Sequence, residues 1–166
     1  GIDNNCDGRI DEAFNLMNDP LNCGACNRAC TPPSFAMTTA CGGGNCSITS
    51  CVPGRGNCNG TYADGCEDDT SSTVSSCGGC GMACSAPNVQ TYSCASGSCG
   101  IQQCPPGRGN CNNTYSDGCE IDTNTSLANC GACGAPCTVA NGTPACTTGQ
   151  CRIGACTPPF RDCNLS

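Results

Sequence analysis

Residues 53–67 read PGRGNCNGTYADGCE, and residues 106–120 read PGRGNCNNTYSDGCE. The pentapeptide NCGAC at 22–26 likewise returns at 129–133. Duplication on this scale marks a repeat architecture, and the cysteines around both stretches fall into register with it. One unit runs Cys23, Cys26, Cys30, Cys41, Cys46, Cys51, Cys58, Cys66. The next runs Cys77, Cys80, Cys84, Cys94, Cys99, Cys104, Cys111, Cys119. A third runs Cys130, Cys133, Cys137, Cys146, Cys151, Cys156, Cys163 and lacks an eighth member. The spacing is C-x2-C-x3-C-x(8–10)-C-x4-C-x4-C-x6-C-x7-C with a period of 53 to 54 residues. The chain therefore divides into an acidic segment 1–22 that completes a neighbouring repeat, repeat 1 at 23–76, repeat 2 at 77–129, and an incomplete repeat 3 at 130–166.

Such units cannot fold by burial alone. Leu, Ile, Val and Phe together number 17 of 166 residues, below the roughly 20% at which disorder becomes the default expectation. The 24 cysteines are an even number and far exceed the usual mark of a disulfide scaffold. Bridges of roughly 2–4 kcal/mol each must substitute for the core. The 22 unit cysteines up to Cys156 are expected in structural disulfides, although eight cysteines allow 105 pairings and spacing does not choose among them. Gly, Pro, Asn, Ser and Thr fill the intervals, with Asn59-Gly60 and Asn141-Gly142 as hairpin-turn signals. Only Asp11–Met17 has a faintly helical look. The expected fold is a small disulfide-rich repeat protein, irregular with short β-hairpins and little helix, an elongated rod of stacked units.

The setting follows from the same counts. Twelve bridges persist only where thiols stay oxidised, so a secreted, extracellular or cell-surface location is expected. The chain opens on Gly1, and removal of an export signal or longer precursor is expected. A net charge of −7 with no Lys and no His excludes nucleic acid, whose phosphates need basic patches. No run approaches the ~18 apolar residues of a spanning helix, so membrane insertion is not expected.

Residues 20–166 resemble the Cys-rich tandem repeats (NCGxC…C…DGCE) of secreted and surface proteins from myxobacteria-like bacteria. That resemblance implies an extracellular repeat architecture and no activity. Residues 2–12, IDNNCDGRIDE, are similar to the metal-binding motif of MopE-type bacterial surface proteins.

Asp3, Asn5, Asp7 and Asp11 place oxygens at alternating positions around Gly8, as in the first half of a calcium loop. The twelfth position is Phe14, so the bidentate carboxylate is missing. Weak calcium binding and a solvated acidic turn both stand, and no cofactor is required. The Cys-x2-Cys pairs are read as structural, because zinc or redox sites need free thiolates and another setting. Asn45, Asn59, Asn112, Asn124, Asn141 and Asn164 head Asn-x-Ser/Thr sequons. Thr70, Ser71, Ser72 and Thr73 open a hydroxyl-rich run for O-linked sugar, so a glycoprotein is expected. Glu67, Asp68, Asp69, Glu120 and Asp122 lack partners for acid–base work and are read as solvated surface; an enzyme is not expected. Tyr62 and Tyr115 are read as packing on a bridge or turn. Arg55 and Arg108 are read as stacking on those rings or pairing with an acid across a unit junction.

The expected function is a structural subunit of a filament or surface layer, assembled with itself head to tail. The competing expectation is an adhesion or glycan/receptor-binding module that uses the variable segments 31–40, 85–93 and 138–145. If the seventh and eighth cysteines of a unit pair, Cys163 of one subunit should dock beside, or bond to, Cys6 of the next.

Overall fold

Four residues between the fourth and fifth cysteine leave room for one tight turn, and that turn organises every repeat. The computed structural model describes residues 8 and 15–161. Each repeat folds around a β-hairpin. β1 (Ala36–Gly42) pairs with β2 (Asn45–Cys51) in repeat 1. A second short ladder follows, β3 (Arg55–Gly56) with β4 (Asp68–Asp69). Repeat 2 returns the pattern as β5 (Thr91–Ala95) with β6 (Ser98–Gln103), then β7 (Arg108–Gly109) with β8 (Ile121–Asp122). Repeat 3 contributes β9 (Gly142–Thr147) with β10 (Gln150–Cys156). All strand pairs in the four ladders with a resolved register are antiparallel. The only described helical element is one 3-10 turn, Val74–Ser76. The described part of the faintly helical stretch, 15–17, is irregular and turn.

The tight turns are Gly43-Gly44, Ser96-Gly97 and Thr148-Gly149. Both central residues have positive φ in each, from 50° to 74°, the geometry that matches strand twist in two-residue hairpins. Only the second position is glycine in all three. The expected turns at Asn59-Gly60 and Asn141-Gly142 are corrected. The first is a bend held by its own Asn side chain, and the second leads into β9.

Two bridges pin each hairpin to the corner before it. First joins fourth (Cys23–Cys41, Cys77–Cys94, Cys130–Cys146) and third joins fifth (Cys30–Cys46, Cys84–Cys99, Cys137–Cys151). Sixth joins eighth (Cys51–Cys66, Cys104–Cys119), and seventh joins the second of the following repeat (Cys58–Cys80, Cys111–Cys133). Separations of 14 to 22 residues make each worth about 3 kcal/mol by chain entropy. Sulfur takes the place of a hydrocarbon core. The buried apolar residues are Cys23, Cys30, Cys66, Cys77, Cys84, Cys119 and Cys137, while Met17, Leu21, Met37, Met82 and Leu127 are exposed. The chain is a small disulfide-rich β-hairpin protein.

By compactness the described residues form two bodies, one of those up to 83 with 94–98 and one of 84–93 with 99–161.

Candidate functional site

Chemistry-bearing side chains gather where one repeat is stapled to the next. The Glu67 carboxylate accepts hydrogen bonds through Oε1 from the backbone N–H of Cys58 (3.0 Å) and Asn59 (3.1 Å). Glu120 accepts the Cys111 N–H at 3.0 Å in the same way. In both, the other oxygen, Oε2, is buried with no hydrogen-bond partner among the described residues. These acids therefore fix the loop that presents the seventh cysteine. The reading of them as solvated surface is corrected, because unpaired N–H groups at a sharp bend need an acceptor more than water needs the carboxylate.

The other acids do similar work. Asp69 accepts the Ser71 hydroxyl (2.6 Å) and N–H (2.9 Å) through Oδ1, and the Ser72 hydroxyl (2.9 Å) through Oδ2. The Ser71 and Ser72 hydroxyls stabilise the carboxylate and hold its pKa down at about 2. Asp68 accepts the Ser76 hydroxyl, and Asp122 accepts the Asn124 N–H. The run Thr70–Ser76 is thus a structured cap. Thr70 is 7% exposed, so its expected role as a sugar acceptor is corrected: the side chain is packed into the joint. Ser71 and Ser72 spend their hydroxyls on Asp69. Thr73 is half-buried.

Arg55 stacks its guanidinium 4.1 Å from the centroid of Phe35 and donates to the Glu67 carbonyl at 3.4 Å. The expected ring was Tyr62; that residue instead donates its hydroxyl to the Thr31 carbonyl. Arg108 has no equivalent ring, since Asn88 stands where Phe35 does in repeat 1. Tyr115 is half-buried.

Among the sequon asparagines, Asn59 and Asn112 donate their amides to Asp64 and Asp117 at 2.7 Å each. Asn45 donates to the Gly43 carbonyl. The Asn124 amide lies over Gly107, where a Cβ would fall 2.0 Å from its nitrogen. Asn141 is exposed in a left-handed turn conformation, with no side-chain hydrogen bond among the described residues.

The eighth cysteine is seated on the segment before the hairpin. The Cys66 N–H donates to the Ser34 carbonyl at 2.8 Å, and the Cys119 N–H to the Pro87 carbonyl at 3.0 Å. Both cysteines are 0% exposed. A Cβ at Gly65 would fall 2.1 Å from the Ser34 oxygen, and one at Gly118 1.8 Å from the Pro87 oxygen. Only glycine fits before the buried cysteine. The variable segments 31–40 and 85–93 thus carry the first hairpin strand and this seat, and 138–145 carries the first part of β9.

Cys156 is corrected. Among the described residues it is a half-buried free thiol rather than part of a bridge, whereas its equivalents Cys51 and Cys104 bond the eighth cysteine of their repeats. The cluster Cys23, Cys30, Cys46 brings sulfurs within 4.8 Å, but all three are in bridges, which removes their thiolates as metal ligands. Cys26 is also disulfide-bonded. The calcium candidates Asp3, Asn5, Asp7 and Asp11, the sequon Asn164, and the pair Cys6 and Cys163 lie outside the described residues. The pairing of seventh with eighth cysteine, from which the Cys6–Cys163 contact was expected, is replaced by the sixth-to-eighth and seventh-to-second bonds.

No protein-family model, curated protein or solved structure matches the chain.

Proposed function

We propose that the chain is an extracellular structural protein, a unit of a disulfide-stapled, sugar-bearing filament or surface layer assembled end to end. The bond from the seventh cysteine of one repeat to the second of the next carries this reading. Cys58–Cys80 and Cys111–Cys133 make each repeat covalently dependent on its successor. A protein built for recognition needs no such continuity; one built to bear load does. The acids that resemble catalytic candidates are occupied as acceptors for backbone and hydroxyl groups, which favours a scaffold over a reaction centre. Bridge density fits an oxidising compartment, and no described helix is long and apolar enough to cross a membrane. Negative-stain imaging of native material is the test: long uniform filaments or sheets are expected, and monodisperse particles at every concentration reject the reading.

The binding-module alternative has one observation on its side, an open cavity of about 500 Å³ beside Pro53, Gly54, Ser71 and Gly97. Its lining carries hydroxyls and backbone but no charged group, a surface suited to a neutral sugar. Glycan-array binding that Ser71→Asn abolishes would favour that reading. Asn124, at the equivalent place in repeat 2, already lies over Gly107 there.

A further inference from the structure

Among the described residues, repeat 3 holds a seat without an occupant. In repeat 1 the seat has four parts, and repeat 2 has three of them, since Pro105 has no N–H to donate. A left-handed residue, Phe35 or Asn88, follows the carbonyl that receives the eighth cysteine. In repeat 1 the residue after the sixth cysteine donates back to it, Val52 N–H to Phe35 O at 2.9 Å. A small turn then brings Arg55 N–H to Val52 O and Arg108 N–H to Pro105 O, both 3.1 Å, which presents β3 and β7 to the incoming strand. Finally the sixth cysteine bonds the eighth.

Repeat 3 builds the first three parts unaided. Asn141 is left-handed at φ 59°. Thr157 N–H donates to Asn141 O at 2.8 Å, and Phe160 N–H to Thr157 O at 2.9 Å. The Ala140 carbonyl, equivalent to Ser34 and Pro87, receives no backbone hydrogen bond among the described residues. The sixth cysteine, Cys156, is a free thiol. Beside it opens a cavity of about 520 Å³ walled by Pro158, Pro159 and Phe160. Ile153 is 49% exposed, whereas its equivalents Ile48 and Ile101 are half-buried.

We infer that this end of repeat 3 is an acceptor for the Asp-Gly-Cys-Glu strand of a further repeat unit, with Cys156 as the point of covalent attachment. The inference rests on the end-to-end reading above and names its contact. The occupant is defined by chemistry that the two sister seats display. Glycine precedes the cysteine because no Cβ fits against the seat carbonyl. The cysteine N–H caps that carbonyl. The residues after Glu add a short antiparallel strand beside Phe160, as β4 does to β3 and β8 to β7. Attachment is thiol–disulfide exchange. The incoming cysteine arrives as a mixed disulfide with a small thiol; the Cys156 thiolate attacks its sulfur, the old S–S bond breaks, and the small thiol leaves as thiolate and takes up a proton. A second identical copy offers no such strand from its described residues, because Cys66 and Cys119 are already bonded and buried.

The test uses the whole oxidised chain and the peptide TYSDGCEIDT, the sequence of residues 114–123, supplied as its glutathione mixed disulfide. Mass spectrometry should locate the peptide on Cys156, and Cys156→Ser should abolish capture. Seating should make capture at least about tenfold faster than for a scrambled peptide with the same cysteine, because the preformed site holds the sulfurs together. Replacing the peptide's glycine with alanine should remove that advantage. Equal rates for native and scrambled peptides overturn the inference, as does preferential formation of a Cys156–Cys156 dimer or of a glutathione adduct. Failed capture with filaments present rejects this contact alone; specific capture without filaments rejects the end-to-end reading alone.

Discussion

Repeats 1 and 3 build the same hairpin from different residues and close it differently. Gly43-Gly44 turns one and Thr148-Gly149 the other, yet both keep the fourth and fifth cysteines opposite each other in register, Cys41 with Cys46 and Cys146 with Cys151. The same two bridges pin each to its corner. Repeat 1 then receives the strand carrying Cys66, which disappears from solvent, while repeat 3 leaves Cys156 unpaired and most of β10 exposed. The corner and hairpin thus form a first layer that holds its shape with two bridges. The closing strand is a second layer that covers it.

The largest expected effect abolishes the comparison. Full reduction and alkylation should unfold all three repeats together, since the buried apolar groups are cysteines. The oxidised chain should keep its circular dichroism on heating towards ~90 °C, because loops closed by bridges leave little entropy to gain. Retained protease resistance after reduction would show that something other than sulfur holds the fold.

Next, Cys51→Ser with Cys66→Ser should convert repeat 1 into a likeness of repeat 3. Loss of the bridge should cost about 3 kcal/mol. Hydrogen exchange should accelerate at Cys66 and Thr70 while the β1–β2 ladder stays protected. Equal loss in both would mean that the layers are one cooperative unit.

Gly118→Ala should act on the same layer at about 2–3 kcal/mol, through its left-handed backbone and its contact with the Pro87 carbonyl. Gly60→Ala, also left-handed but in open space, isolates the backbone share and should cost only about 1 kcal/mol.

Acid probes the joint. Asp69 has its pKa lowered to about 2 in the fold, so its contribution is complete above the ordinary carboxylate value and disappears as pH falls through about 2. The amide resonances of Ser71 and Ser72 should titrate with that midpoint, and Asp69→Asn should remove the transition.

Smallest of all, Phe35→Asn gives repeat 1 the residue of repeat 2. It should cost at most about 1 kcal/mol, the worth of an exposed cation–π contact, read as a shift in the denaturation midpoint.

The period, the boundaries of the repeating text and the substitution of sulfur for a core were legible because cysteine positions and composition state them directly. The turns were misplaced for a physical reason. Asn-Gly is the strongest local signal for positive φ, but Ser96 and Thr148 adopt it because bridges on both sides force the turn. The glycine two residues before the fifth cysteine in every repeat (Gly44, Gly97, Gly149) was the signal that would have found it. The bridges were illegible in a deeper sense, since Cys58 pairs outside its own repeat and no enumeration within one unit contains that bond. Glu67 and Glu120 were misread because their partners are backbone N–H groups, to which residue identity gives no clue.

The bridges also leave gaps. Between Cys46 and Cys51, and again between Cys99 and Cys104, no bridge joining described residues spans the backbone, whereas overlapping bridges span it from Cys51 to Cys99 and from Cys104 to Cys151. Under tension most of the chain is short-circuited by sulfur and has no slack to release. The load then falls on the single backbones of β2 and β6, each zipped to a neighbouring strand. They act as mechanical fuses: a hard pull peels one hairpin strand at a time and then stops at the next S–S bond, so the molecule gives a little and does not unravel.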